Sequence, residues 1–168
     1  MLCKKILFPL LMTGLAAVTL GAQDVRVGVQ AAVVFPSGDL GDGAGLGLQG
    51  GGHVRWAFAQ GHGLMARADV TVFSDRNDAK STSLAAAVDY TYHFDRNQQG
   101  FYVLAGLCVQ DYHREFPDGT LNDNGLGLDL GVGYDLDRHF GVQARVTSQS
   151  ASYSTTLTSL NLGVTYSF

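Results

Sequence analysis

The 168-residue chain carries 11 lysines and arginines against 15 aspartates and glutamates, and this net charge of −4 excludes a basic surface for nucleic acid. Its length suits a single domain. Beyond residue 22 the chain contains one lysine, Lys80, and one glutamate, Glu115. Because a soluble β domain normally covers its outer face with these two residue types, the composition argues against an ordinary soluble surface.

Residues 1–22 have the layout of a secretory signal peptide. Two lysines precede an apolar stretch from Ile6 to Leu20, and small residues follow it. The alternative is a membrane anchor, but this stretch is shorter than the ~20 apolar residues that a spanning helix needs. Cleavage after Ala22 leaves one domain, residues 23–168, with 9 basic and 15 acidic residues and thus a net charge of −6.

Eight segments of the remaining chain alternate between apolar and polar residues, which is the period of a β-strand. The apolar positions fall within residues 25–35, 48–58, 64–72, 84–94, 101–109, 126–136, 140–146 and 160–168. In the fifth segment the alternation from Phe101 to Val109 defines the apolar face. The assignment stays open there, because Tyr102 and Leu104 on the opposite face are also apolar.

The connections between the segments alternate in length. Short turns are expected at residues 59–63, 95–100 and 137–139, on the side of the termini, and long connections at residues 36–45, 74–80, 111–124 and 149–156, on the opposite side. This division is typical of up-and-down transmembrane barrels. We therefore predict an all-β fold, an eight-stranded antiparallel up-and-down transmembrane β-barrel.

The polar face of the segments combines small residues with charges of both signs. Four arginines and four aspartates lie on this face: Arg26, Arg55, Arg67, Asp69, Asp89, Asp129, Asp135 and Arg145. In a narrow lumen glycines make room, each buried charge needs a partner, and the planar guanidinium of arginine serves several acceptors. We predict that these residues form a lumen charge network. The alternative, the solvated outer face of a soluble barrel, makes poor use of glycine in strands.

Aromatic residues are concentrated on the apolar face near the end that carries the termini. The predicted aromatic girdle comprises Trp56, Phe58, Tyr90, Tyr92, Phe94, Tyr134 and Phe140, with Phe101, Tyr166 and Phe168 at the same level. Aromatic rings collect at the boundary between membrane and water, so the girdle indicates one edge of a bilayer. A sparser ring of Phe35, Phe73, Tyr112 and Tyr153 is expected at the far end.

In pattern, residues 23–168 resemble the small eight-stranded outer-membrane β-barrels of Gram-negative bacteria, the OmpA/OmpX-type superfamily. The most specific element is the terminal GVTYSF. In that family a last strand ending in Phe, with aromatics at alternate positions, is the signal that the barrel assembly machinery reads. The resemblance implies that Tyr166 and Phe168 serve insertion and strand closure in the outer membrane, and that this machinery and periplasmic chaperones take part in assembly.

The lumen of an eight-stranded barrel is filled by side chains, so a general diffusion pore is not expected. The best enzymatic candidate is the QDYHRE segment, in which His113 lies close to Asp111 and Glu115, but no nucleophile motif accompanies it. The five histidines show no metal-ligand spacing, and the sequence predicts neither a metal site nor a cofactor. Cys108, the one cysteine after residue 22, has no disulfide partner and is interpreted as a packing residue.

The long connections are acidic, with Asp39, Asp42, Asp111, Glu115, Asp118 and Asp123. Contact with outer-membrane lipid and with lipopolysaccharide through bridging cations is one interpretation, and a solvated surface is the other. We expect a non-enzymatic monomer with a structural or surface-interaction role and no nucleic-acid partner. The alternatives are a lipid-modifying enzyme, such as a lipid A deacylase or acyltransferase, and a soluble periplasmic barrel that binds a small ligand.

Overall fold

The computed structural model describes residues 24–76, 79–95, 97–117, 119–150 and 156–168. The predicted signal peptide lies outside these residues. Eight strands and one short helix follow in chain order: β1 (Asp24–Gly38), α1 (Asp39–Gly43), β2 (Gly47–Ala59), β3 (His62–Arg76), β4 (Ala79–His93), β5 (Gly100–Phe116), β6 (Gly119–Asp135), β7 (Phe140–Ser150) and β8 (Thr156–Ser167). Among the described residues, no helix is long and apolar enough to cross a membrane.

The strands form one closed antiparallel barrel in which each strand pairs with its neighbours in sequence. β1 closes the barrel by pairing with β8, from Gly28 opposite Ser167 to Gly38 opposite Leu157. The amide of Phe168 extends this pairing, because it donates a hydrogen bond to the carbonyl oxygen of Val27 at 2.8 Å. Closure removes the two edges that an open sheet exposes. The eight-stranded antiparallel barrel predicted from the alternation is confirmed.

The two faces of the strands have opposite environments. On the outer face apolar side chains are accessible, as the exposed fractions of Leu48 (68%) and Leu130 (64%) illustrate. On the inner face, Asp129 and Arg145 are 1% exposed. This is the reverse of a water-soluble protein, in which charged side chains cover the outside. The apolar outer surface suits hydrocarbon, and the charged interior has to satisfy its hydrogen bonds within the barrel.

The orientation of β5 agrees with the apolar face assigned from Phe101 to Val109. Tyr102 and Leu104 are 0% and 3% exposed and point into the lumen, where they pack with Met65 of β3. The strand is apolar on both faces because this part of the lumen is filled by hydrophobic side chains as well as by charges.

For two of the four connections that were expected to be long, the prediction is wrong. β3 and β4 extend into residues 74–80, where Arg76 pairs with Ala79, and β5 and β6 extend into residues 111–124, where Phe116 lies opposite Gly119. The polar residues of these segments do not interrupt the strands, because the outer face of a strand no longer has to be hydrophobic outside the apolar band. β5 and β6 therefore reach 17 residues each.

The barrel has two unlike ends. At the end that we call the terminal end, β1 begins, β8 ends, and short turns follow β2, β4 and β6. At the opposite end, which we call the loop end, lie α1 and the connection between β5 and β6. The helix α1, which has five residues, was not predicted from the sequence. Gly38 leads into it with φ of 58°, a left-handed conformation that favours glycine.

Candidate functional site

The centre of the lumen is a cluster of charged side chains around Arg67. Its guanidinium donates hydrogen bonds to the carboxylates of Asp69, Asp89 and Asp129, and the distance from Nε to Oδ2 of Asp89 is 3.0 Å. All four side chains are at most 2% exposed. Because the aspartates belong to β3, β4 and β6, one side chain connects three strands. Arginine suits this position because its planar fork presents five donors.

Arg145 of β7 completes this central cluster. Its Nη2 donates to Oε1 of Gln49 at 3.1 Å and lies 3.7 Å from Oδ2 of Asp69. Its Nε lies 3.9 Å from Oδ1 of Asp129, which also accepts a hydrogen bond of 2.5 Å from the hydroxyl of Thr147. Three carboxylates thus face two guanidinium groups, and neutral side chains supply further donors.

A second buried cluster lies nearer the terminal end, around Arg55 and Asp135. Nη1 of Arg55 donates to both carboxylate oxygens of Asp135, at 3.0 and 2.8 Å, and Nη2 donates to the hydroxyl of Tyr102 at 3.1 Å. Nε2 of His93 lies 3.1 Å from Oδ2 of Asp135, and the His93 ring is 4.8 Å from that of Tyr102. The predicted network lacks Tyr102, since an aromatic residue in an alternating strand gives no sign that its hydroxyl is needed.

Arg26 is the predicted network residue that pairs outside these clusters. Its Nη2 donates to Oδ2 of Asp24 at 2.5 Å, and the Asp24 side chain is 32% exposed. The other seven charges fall into the central cluster and the cluster around Arg55, whereas Arg26 lies at the mouth of the terminal end. A partly exposed ion pair of this kind contributes little to stability.

The loop end of the lumen is closed by hydrophobic side chains, which we call the apolar cap. Its members are at most 5% exposed, and Leu157 packs against them: Val34, Leu40 of α1, Ala44, Phe73 and Tyr112. The expected outer ring at this end is wrong for Phe73 and Tyr112, whose rings lie 6.0 Å apart inside the barrel. Phe73 is four residues from the inward-facing Asp69 on β3, and residues an even number of positions apart on a strand point to the same side. Phe73 therefore points into the lumen. Phe35 faces outward, and residue 153 lies outside the described residues.

The predicted girdle residues lie on the outer face at the terminal end. Neighbouring rings contact one another at 5.3–5.7 Å between centroids in the pairs Trp56–Phe58, Tyr92–Phe94 and Phe94–Phe101. His62 fills the gap between Phe58 and Tyr92, at 6.4 and 5.0 Å, and its Nδ1 is hydrogen bonded to the hydroxyl of Tyr90. His62 was not predicted as a girdle residue, because the pattern places it within the turn at residues 59–63.

The girdle continues through the last strands. Tyr134 lies opposite Phe101 in the β5–β6 ladder, and both are about half exposed. Farther along, the ring of Tyr166 lies 4.9 Å from that of Phe140 and 5.3 Å from that of Phe168. The aromatic rim of the terminal end therefore reaches β8, whereas β1 contributes Val25 and Val27 to the outer face there.

The end of β8 is fixed by the turn between β6 and β7 as well as by β1. The ring of His139 stacks on Tyr166 at 5.9 Å, and its Nδ1 lies 2.8 Å from the carbonyl oxygen of Ser167. The amide of Ser167 donates to the carbonyl oxygen of His139 at 2.7 Å. Strand closure thus involves the predicted insertion signal, Tyr166 and Phe168, while its recognition by the assembly machinery stays a prediction.

The outer face of β4, β5 and β6 becomes polar toward the loop end. The last wholly apolar cross-strand row is Ala86–Val109–Leu126, and the rows beyond it are Leu84–Asp111–Asn124, Thr82–His113–Asn122 and Lys80–Glu115–Thr120. His113, the centre of the enzymatic candidate, therefore lies outside the apolar band. Among the described residues, no group of three or more His, Cys, Asp or Glu side chains is placed to hold a metal ion.

Both ring nitrogens of His113 face oxygen acceptors. Nδ1 is hydrogen bonded to the amide oxygen of Asn122, and Nε2 lies 3.2 Å from Oε1 of Glu115. Only the imidazolium form donates from both nitrogens, so the bond to Asn122, followed by that to Glu115, raises the pKa of His113. These hydrogen bonds favour the form of His113 that has no free nitrogen to accept a proton, which argues against a role as general base.

Asn122→Ala should lower the pKa of His113, because it removes the acceptor at Nδ1 that stabilises the imidazolium. The pKa is measured by NMR titration of the imidazole resonances in detergent micelles. Asn124→Ala, one row closer to the membrane on the same face, is the matched control and should leave the titration unchanged. Identical pKa values in the wild type and Asn122→Ala would show that this hydrogen bond does not form in solution.

The comparisons with known proteins agree with this architecture. A family model described as the outer membrane protein beta-barrel domain matches residues 7–168. No curated protein matches the chain.

Three solved structures of small bacterial barrels are similar to this one. Neisserial surface protein A is 19% identical with a TM-score of 0.61, covering 88% of this chain and 99% of that chain. The N-terminal β-barrel domain of Pseudomonas aeruginosa OprF is 18% identical with a TM-score of 0.57, covering 88% and 99%. Ail, the attachment invasion locus protein of Yersinia pestis, is 14% identical with a TM-score of 0.53, covering 86% and 96%. At these identities the likeness shows the fold alone.

The family match covers nearly the whole chain, and the apolar outer wall gives it a physical basis. In bacterial barrels of this kind the periplasmic connections are short and the segments outside the cell are longer, and β5 and β6 extend three cross-strand rows past the apolar band at the loop end. The terminal end is therefore periplasmic and the loop end extracellular. The chain belongs to the outer membrane protein β-barrel family and is a protein of the bacterial outer membrane.

Proposed function

We propose that this protein is a non-enzymatic monomer with a structural and surface-interaction role, acting through its lipid-facing wall and its extracellular end. The filled lumen carries the proposal. The cavity beside Arg67 and Arg145 and the one beside Arg55 and Asp135 each have a volume of about 10 Å³, which is room for one water molecule. Together with the apolar cap, these clusters fill the lumen as far as residues 24–76, 79–95, 97–117, 119–150 and 156–168 form it, which favours the outer surfaces as the place of contact with other molecules.

The partners that we propose are outer-membrane lipid and lipopolysaccharide, together with the barrel assembly machinery and periplasmic chaperones during biogenesis. The apolar wall supports the lipid contact, and the aromatic ending, in which Phe168 is 73% exposed, supports recognition during assembly. Bridging of lipopolysaccharide phosphates by the acidic residues has less support. Asp111 and Glu115 face outward and are accessible for it, but Asp123 is buried. The acidic net charge supports the absence of a nucleic-acid partner.

A strain that lacks the protein tests the proposed role. We expect it to take up more of a hydrophobic dye, N-phenyl-naphthylamine, than its parent, because the outer membrane loses a protein that organises neighbouring lipids. The mass spectrum of its lipid A should be unchanged. The wild-type protein supplied in trans should restore the barrier.

A second variant tests the extracellular end by replacing residues 113–122 of the β5–β6 hairpin with an Asn-Gly turn. This variant should still form a barrel, shown by different migration of boiled and unboiled samples on a denaturing gel, but should not restore the barrier. Equal dye uptake by the mutant and parent strains would contradict the structural role. A change in the number of lipid A acyl chains would instead favour a lipid-modifying enzyme.

A further inference from the structure

The polar outer face of β4, β5 and β6 stands directly above the lipid-facing wall. We call its two outermost rows the lateral patch: Thr82, His113, Asn122, Lys80, Glu115 and Thr120. Five of the six side chains are exposed, and His113 is half-buried. They have the parity of Leu107 and Val109 in the apolar wall, so they face sideways along the membrane surface and not inward over the lumen.

The height of the lateral patch determines which neighbours it meets. Successive rows on one face are about 6.8 Å apart along a strand, which becomes about 5 Å of height for strands tilted by about 40°. The patch therefore stands about 10–15 Å above the last wholly apolar row. The interfacial layer of a bilayer is about 5–8 Å thick on each side. The lateral patch therefore stands higher than a phospholipid headgroup, at a height that only a lipid with a larger headgroup reaches.

An apolar groove lies on the outer wall below the patch, with one cross-strand row, Leu84–Asp111–Asn124, between them. Its volume is about 660 Å³, and small or branched side chains line it, including Gly52, Ala68, Ala86, Val109 and Leu126. The last three form the cross-strand row nearest to the patch that is wholly apolar, so patch and groove share one face. This volume lies in the range of small-molecule sites. The small side chains allow a hydrocarbon chain to approach the backbone.

The chemistry of the lateral patch favours hydroxyl groups over phosphate. Lys80 only donates hydrogen bonds, Glu115 only accepts them, and Thr82 and Asn122 do both. A sugar hydroxyl also donates and accepts, so one saccharide can satisfy all of these groups. The carboxylates of Asp111 and Glu115 at least balance the positive charges that Lys80 and His113 can carry. The face is thus close to neutral and offers a phosphate group no net attraction.

We propose that the groove and the lateral patch together bind a glycolipid of the outer leaflet, with an acyl chain in the groove and the saccharide against the patch. The inference rests on the proposed function, since it takes this wall as a surface that contacts outer-leaflet lipid. It adds the place on the wall and the class of headgroup. The glycolipid is anchored in the same leaflet as the barrel, which brings its sugars to the height of the patch.

Calorimetric titration of the refolded protein in detergent micelles with rough lipopolysaccharide tests the proposal. The Thr82→Ala/Asn122→Ala variant removes hydrogen-bonding groups from the patch and should weaken binding by about fivefold or more. Ala68→Phe fills the groove and should weaken binding as well. The matched control is Ser148→Ala/Thr158→Ala, an outward pair on β7 and β8 with hydroxyls 3.5 Å apart, which should bind like the wild type.

Phosphatidylglycerol, which has acyl chains but no saccharide, separates the two parts of the site. It should bind more weakly than rough lipopolysaccharide, and its affinity should not depend on Thr82 and Asn122. Equal lipopolysaccharide affinity in the wild type and the patch variant would overturn the proposal, and so would equal affinity for the two lipids. The dye uptake of the deletion strain is a separate measurement, so failure of the glycolipid site and failure of the structural role are distinguishable.

Discussion

Arg67→Ala should destabilise the folded barrel by about 3–5 kcal/mol, the typical effect of removing one partner from a buried ion pair. The substitution removes the guanidinium that joins Asp69, Asp89 and Asp129. Their carboxylates are 0% exposed, so water does not replace the lost donors in the folded state. The free energy of unfolding is measured by denaturant titration of the protein in lipid vesicles.

Arg26→Ala is the matched control for this loss of charge. Arg26 pairs with the partly exposed Asp24 at the periplasmic mouth, and pairs of this kind contribute about 0–1 kcal/mol. Arg67→Lys keeps the positive charge but loses the planar fork, and its stability should fall between those of the wild type and Arg67→Ala. Equal stabilities for Arg67→Ala and Arg26→Ala would mean that water enters the central cluster.

Val164→Arg should destabilise the barrel in bilayers by about 2–4 kcal/mol, the effect of an arginine facing lipid near the midplane. Val164 is 56% exposed on the outer face, between Ala31 of β1 and Val142 of β7. An arginine at this position has hydrocarbon as its surroundings and no acidic neighbour in either ladder. The unfolding free energy in vesicles of uniform lipid measures the effect.

Thr156→Arg provides the control for depth. Thr156 lies on the same strand and the same outer face as Val164, but at the extracellular end of β8. Near the interface a charged substitution costs about 0–1 kcal/mol. If both variants lose the same stability, the outer face of β8 is not covered by hydrocarbon.

The barrel was predictable because two simple constraints act on every strand. A strand between hydrocarbon and a narrow lumen has to alternate, and this alternation identified the outward Leu162 and the inward Arg145 without knowledge of the neighbours. Strand ends were not predictable to the same degree. Beyond the bilayer the outer face meets headgroups and water, so the alternation disappears between Asp111 and Asn124 although the backbone ladder continues.

The candidate site was predictable as a set of residues but not as a set of pairs. Parity places a charge inside the lumen, but the pairing of Arg67 with Asp129 depends on register and on the curvature of the whole sheet. Phe73 shows a different error, since its residue type suggested the membrane boundary while its parity placed it inside. Tyr102 and His62 each make one hydrogen bond, to Arg55 and to Tyr90 respectively. The alternation of apolar and polar residues does not predict such single hydrogen bonds.

The reach of Arg67 across the lumen has a consequence for how the molecule forms. Backbone ladders can grow by one strand at a time, but this guanidinium meets all of its acceptors only after β3, β4 and β6 have curved around a common axis. A partly curved sheet in the membrane leaves Asp129 without this counterion, which is unfavourable in a medium of low dielectric constant. Incomplete intermediates are therefore penalised, and insertion should be all-or-none.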